Sequence, residues 1–103
     1  MLRDRHLETL KDNAGEAANF LSSLANDRRL LILYELMTQR EMSVGDLADA
    51  VGLSQSALSQ HLSKLRAENL VQTRRQSQTI FYRLSSGDRV KRTHSLLKQL
   101  FCQ

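Results

Sequence analysis

Ser43, Gly52 and Ser54 leave the middle of this chain little freedom. Serine is a favoured helix N-cap, and glycine takes the positive φ that ends a helix. Ser43 can accept from the backbone N–H of Asp46, whose carboxylate can bond back in a box-like cap. Leu47, Ala48 and Val51 give the helix that follows one apolar face, and Leu58, Leu62 and Leu65 do the same for a helix from Ser54 to about Glu68. Only Leu53 separates Gly52 from Ser54, so the two short helices are joined by a tight turn. The spacing predicts a helix-turn-helix over 43–68.

The flanks extend this pattern. Leu7, Leu10, Ala14, Ala17, Ala18, Leu21 and Leu24 are spaced by threes and fours and predict one helix over 6–24. Asn26 can cap a helix from Asp27 to Met37, where Leu30, Leu31, Ile32, Leu33, Leu36 and Met37 are too dense for one stripe. That density predicts a central helix buried on most sides. Downstream, residues 70–75 and 79–84 are β-prone runs separated by Gln76-Ser77-Gln78 and read as a hairpin. Alternation puts Ile80, Tyr82 and Leu84 on one face and Phe81 and Arg83 on the other. Two strands alone are marginal, so the hairpin must pack on the helices. From Asp88 the chain is helical again and ends in Leu96, Leu97, Leu100 and Phe101. The order α-α-α-α-β-β-α is that of a winged helix-turn-helix: mainly α with a β-hairpin wing over 70–84, one domain filling 1–103.

A chain of 103 residues is too short for a large enzyme core with a deep pocket. At 41 % hydrophobic and 25 % charged residues it is also too apolar for intrinsic disorder. Proline is absent, which fits uninterrupted helices. The single cysteine excludes an internal disulfide framework. No apolar run is long enough to span a membrane, and the charged start from Met1 to His6 is unlike a signal peptide, so the expected location is cytoplasmic. His6, His61 and His94 lie far apart with no metal-ligand spacing, and no Ser/His/Asp arrangement or phosphate loop is present. Neither a catalytic centre nor a cofactor or metal site is expected.

Candidate binding residues cluster on the second helix of the turn motif. With its leucines inward, Gln55, Ser56, Ser59 and Gln60 remain to read base edges; Gln can pair bidentately with adenine, and Ser donates or accepts. Ser54, His61 and Lys64 fall to the backbone-contacting set, and the helix N-terminus itself favours a phosphate. Lys64 and Arg66 also suit the dipole of their own helix end. In isolation, such Gln and Ser residues would simply solvate a helix; the preceding turn and following hairpin favour DNA. The net charge of +4 agrees with a polyanionic partner. At the hairpin tip Arg74, Arg75, Gln76 and Gln78 suit phosphate or minor-groove contact. Adjacent strand residues face opposite sides, so one arginine is free to pair with a nearby carboxylate instead. Arg83, Arg89, Lys91 and Arg92 read as solvated faces.

Leu24 to Leu33, Ser43-Val44-Gly45-Asp46-Leu47, Leu53 to Leu62 and Thr79 to Leu84 together resemble the ArsR/SmtB family of bacterial winged-helix repressors, over roughly residues 17–103. Within it the likeness is to a branch of nodulation, virulence and sulfide-responsive regulators. The resemblance implies a homodimer built by the helices at 6–24 and 88–102, binding double-stranded DNA at an inverted-repeat operator. Ser43 and Gly45 stand where metal-sensing members carry cysteines. Asp88 remains from another metal pattern, but Val90 and Phe101 occupy its histidine positions. Cys102, the one candidate thiol, is similar to the second cysteine of the redox branch, while Tyr34 sits in place of the first, which removes an intrasubunit disulfide. Two other readings stay open: a protein-interaction module using the apolar last helix, and a non-specific nucleoid-associated DNA-binding protein.

Overall fold

Asn26, Ser43 and Ser54 each start a helix with their own side chains. In the computed structural model, which describes residues 5–102, they accept from the backbone N–H groups of Arg29, Asp46 and Ala57 at 3.1 Å. Met1 to Asp4, part of the start read above as unlike a signal peptide, and Gln103 lie outside the described residues. Gly52 closes its helix at φ 68°, the left-handed conformation that glycine adopts without a Cβ penalty. The elements are α1 (Arg5–Asp12), α2 (Ala14–Leu24), α3 (Asp27–Thr38), β1 (Met42–Ser43), α4 (Val44–Val51), α5 (Gln55–Ala67), β2 (Val71–Gln76), β3 (Thr79–Leu84) and α6 (Asp88–Phe101).

Four expectations are corrected. The segment read as one helix over 6–24 is two, broken at Asn13. Asn13 and Gly15 have low helix propensity, and α1 buries none of its residues, so packing does not hold the segment straight. In α3, Ile32, Leu33 and Leu36 are buried, but Leu30 and Leu31 remain 37 % and 42 % exposed. Apolar density alone does not separate a core face from an outer face. The hairpin gains a third strand: β1 pairs antiparallel with β3, Met42 opposite Tyr82 and Ser43 opposite Phe81, giving the sheet order β1-β3-β2. Gln76 belongs to β2, opposite Thr79, so the turn is Ser77-Gln78 alone, with Ser77 at φ 56°.

The core lies between α3, α4, α5 and the sheet. Ile32, Leu33, Leu47, Leu58, Leu62, Leu65 and Leu70 are less than 2 % exposed, each side chain contributing about 1.5–3 kcal/mol by leaving water. Tyr82 and Val90 close its edges from β3 and α6. Ile80 and Leu84 pack against it from the same face of β3 as Tyr82, as the alternation predicts.

Two consecutive arginines at the start of α3 lock neighbouring helices to it. Arg28 Nη1 donates to the Val51 carbonyl at 2.9 Å, at the C-terminus of α4. Arg29 Nε donates to the Ser23 carbonyl at 2.7 Å, at the C-terminus of α2. Both guanidinium groups meet carbonyls that have no intrahelical partner and lie at the negative end of a helix dipole.

Candidate nucleic-acid interface

α5 presents a polar face opposite Leu58, Leu62 and Leu65. Ser54, Gln55, Ser56, Ser59, Gln60, Ser63 and Lys64 are all exposed, and no acidic residue occurs between Asp49 and Glu68. A phosphate approaching this face meets no fixed negative charge on α5. Ser54 Oγ takes the Ala57 N–H, which leaves the N–H groups of Gln55 and Ser56 without intrahelical acceptors and free to meet an anion. The Gln55 side chain lies across the first turn of α4: a Cβ at Gly45 would stand 3.8 Å from its amide nitrogen. The reciprocal bond expected from the Asp46 carboxylate to the cap of α4 does not form among the described residues.

His61 differs from its neighbours. It is half-buried, with Nδ1 3.3 Å from Arg29 Nη1. Guanidinium only donates, so Nδ1 is the acceptor in this contact.

The wing separates its two arginines. Arg74 is engaged: Nε donates to both Glu41 oxygens at 2.9 and 2.8 Å, Nη2 bonds the same carboxylate, and Nη1 donates to Gln76 Oε1 at 2.8 Å. Its guanidinium also lies 4.4 Å from the centre of the Phe81 ring, directly across the strands. Arg75 and Gln78 are exposed. The register of β1 on β3 carries Glu41 to this position, so the two-residue strand decides which arginine is tied down.

Hydrogen bonding from Arg74 holds the Glu41 carboxyl below its usual range against partial desolvation, with the charges of Arg74, Arg83 and Arg40 helping; the same pairing raises Arg74. A carboxyl lowered in the folded state stabilises the fold above its unfolded value and loses that contribution as pH falls through the folded value. Carbon-detected NMR titration of Glu41 is expected to show a midpoint below that of an exposed glutamate, and Arg74→Ala is expected to raise it towards the ordinary value.

The remaining candidates are scattered. Cys102 is exposed and lines a groove between α3 and α6 of about 410 Å³, with Leu30, Tyr34, Met37, His94 and Phe101. Tyr34 and Cys102 thus share one groove, as the resemblance implies, and the chain has no second sulfhydryl to place there. Among the described residues, no group of three His, Cys, Asp or Glu side chains could hold a metal, and no helix is long and apolar enough to cross a membrane. Arg89 pairs with Glu16 of α2 at 3.1 Å, and Arg92 with Asp88 at 2.9 Å.

Sequence reasoning missed Glu41, Phe81 and Arg29. For the last a signal existed: Arg28 and Arg29 fill the first turn of a helix, where the dipole disfavours cations unless something outside the helix holds them.

Comparison with known proteins agrees with this geometry. Residues 26–73 match the profile of the family described as "Bacterial regulatory protein, arsR family". The chain is 58 % identical to the nodulation protein NolR of Rhizobium meliloti over 90 residues, covering 87 % of this chain and 72 % of the relative. The crystal structure of NolR from Sinorhizobium fredii, 51 % identical, superposes with a TM-score of 0.80 over 99 % of this chain and 97 % of that one. A solution structure from Mycobacterium bovis, described as a homodimeric winged helix-turn-helix DNA-binding domain, is 31 % identical with a TM-score of 0.74, covering 95 % of this chain and 86 % of that one. The chain belongs to the arsR family of bacterial regulatory proteins, DNA-binding transcriptional regulators built on a winged helix-turn-helix.

Proposed function

We propose that this chain is a cytoplasmic repressor that binds an inverted-repeat operator as a homodimer and blocks promoter access. The observation that carries this reading is the exposed outer face of α5, free of carboxylates and rich in short or planar hydrogen-bonding groups. Two-fold symmetry would set two copies of α5 in successive major grooves, about one helical turn apart. Gln55, Ser56, Ser59 and Gln60 read base edges; Ser54, His61 and Lys64 hold the backbone. On the wing, Arg75 and Gln78 reach the DNA directly, while Arg74 and Gln76 brace the hairpin through Glu41 and Phe81. Leu7, Leu10, Leu21, Leu96, Leu100 and Phe101 are all more than half exposed in one copy, and a second copy covers them.

Selection of a duplex from a random pool, followed by titration of variants, tests the reading. Gln55→Ala is expected to relax base preference at its position by about 1–3 kcal/mol. If it leaves both affinity and preference unchanged, α5 is not the reading helix. Arg75→Ala is expected to weaken binding to every sequence and to lower the slope of log affinity against log salt by about 0.9. The wild-type chain is expected to prefer its selected site over bulk DNA by about 10³ or more; equal affinity supports a non-specific coating protein instead.

The exposed apolar side of α6 favours one other reading, an interaction module for a different protein. Light scattering separates the two, since a monomer at working concentration removes the symmetric operator.

A further inference from the structure

Arg29 is the one charged residue that the core buries among the described residues, at 8 % exposure. No carboxylate meets it among the described residues. Its three donor nitrogens go instead to three acceptors: Nε to the Ser23 carbonyl at 2.7 Å, Nη2 to the Ser22 carbonyl at 3.3 Å, and Nη1 to His61 Nδ1 at 3.3 Å. The two carbonyls lie in the last turn of α2, whose outer side carries Leu21, 61 % exposed and awaiting a second copy. His61 sits in the second turn of α5, next to Gln60.

One planar group therefore spans the partner-facing helix and the reading helix. A buried guanidinium is expensive to desolvate, and a helix C-terminus supplies only part of the compensation. A side chain serving packing alone at this position would be aliphatic. Lysine, a point charge, could not satisfy three acceptors fixed in this planar arrangement.

We infer that Arg29 is a positioning residue for base reading, holding α5 in register with α2 through His61. This inference rests on α5 being the reading helix. When α2 is fixed against the second copy, the Ser22 and Ser23 carbonyls fix the guanidinium, and the guanidinium fixes the turn of α5 that carries Ser59 and Gln60. Displacement of that turn by a fraction of an ångström shifts hydrogen bonds to base edges while leaving flexible contacts to phosphate in reach.

The test compares two replacements of His61. In His61→Asn, the amide Oδ1 falls where Nδ1 stood and can accept from Arg29; in His61→Leu no acceptor remains. Both lose the ring Nε2–H, so any phosphate contact from that nitrogen is removed equally. The probes are the duplex that the wild-type chain selects from a random pool and poly(dI-dC), and the quantity read is the ratio of the two affinities. Both variants are expected to lose affinity for either duplex with the Nε2 contact; the ratio is expected to fall about tenfold in His61→Leu and less than about threefold in His61→Asn. Arg29→Lys is expected to match His61→Leu, and the double variant to fall no further.

A merely structural contact would lower the melting temperature of His61→Leu yet leave the ratio in the folded protein unchanged, and that result overturns the inference. Equal losses in His61→Asn and His61→Leu overturn it as well, because the acceptor would then be irrelevant. If Arg29→Lys fails to fold, the two His61 variants decide alone. A wild-type chain that selects no duplex refutes the reading of α5 and the inference with it; a selective wild type with an unaltered ratio in His61→Leu refutes the inference only.

Discussion

Leu58→Ala is expected to remove about 2–5 kcal/mol from the free energy of unfolding, out of the roughly 5–15 kcal/mol that a domain of this size holds. Leu58 has no exposed surface and sits on the inner face of α5, where that helix meets the rest of the core. The loss has two parts: the transfer of three carbons that no longer leave water, and the cavity that α3 and α4 cannot fully close over. Urea unfolding checks it. The midpoint should fall with an unchanged denaturant slope, since the surface exposed on unfolding stays nearly the same. A shift of less than about 1 kcal/mol would mean that the site collapses around alanine and that the α5 core is more plastic than close packing allows.

The other large effect concerns the opposite kind of leucine. Leu96 and Leu100 lie one turn apart on α6 and are 53 % and 63 % exposed, so the single-copy fold gains little from them. Replacing both by glutamate is expected to leave the circular dichroism of the folded chain unchanged and to produce a monomer in sedimentation equilibrium. Two carboxylates would have to enter an apolar interface without partners. Operator affinity is then expected to fall by about 10²–10⁴-fold, because the second half-site no longer binds at the effective concentration that linkage to the first provides. Fluorescence anisotropy on a full operator and on a single half-site measures this directly. In the variant the two should bind alike; a retained preference for the full operator would place the dimer contact elsewhere.

The two kinds of leucine also mark the limit of what periodicity conveys. Leu58 and Leu96 are the same residue type on amphipathic helices, and their spacing identifies an apolar face in both cases. What the face meets is not written in the spacing. The same gap explains α3, whose density suggests burial on most sides although Leu30, Leu31 and Tyr34 stay exposed in one copy.

Features that depend on a few adjacent residues were legible. Ser43, Ser54 and Asn26 cap because a short side-chain oxygen reaches an N–H three residues on, whatever surrounds it. Gly52 ends α4 because only the absence of a Cβ makes its backbone angle inexpensive. The polar face of α5 follows from helical geometry once Leu58, Leu62 and Leu65 face inward. Even the alternation in β3 was local, and it placed Tyr82 on the buried side.

The break at Asn13 shows the next level. Helix propensity there is low but not prohibitive, and a packed neighbour could have held α1 and α2 straight; α1 has no buried residue to do so. Strand β1 is two residues long, too short for any period, and exists because β3 offers an open edge beside it.

The amino-acid order was sufficient to specify the two helices of the turn motif, the caps at Asn26, Ser43 and Ser54, the tight turn and the residue types on the outer face of α5, since each depends on interactions within about one turn of chain. It could not specify that Arg74 is ion-paired with Glu41 while Arg75 stays exposed, or that Arg29 of α3 bridges α2 and α5. Glu41 lies 33 positions before Arg74, and His61 lies 32 after Arg29. Such pairs exist only when the pairing of β1 with β3 and the packing of α2, α3 and α5 have set the distances, and hydrogen bonds fail beyond a few tenths of an ångström from their optimum.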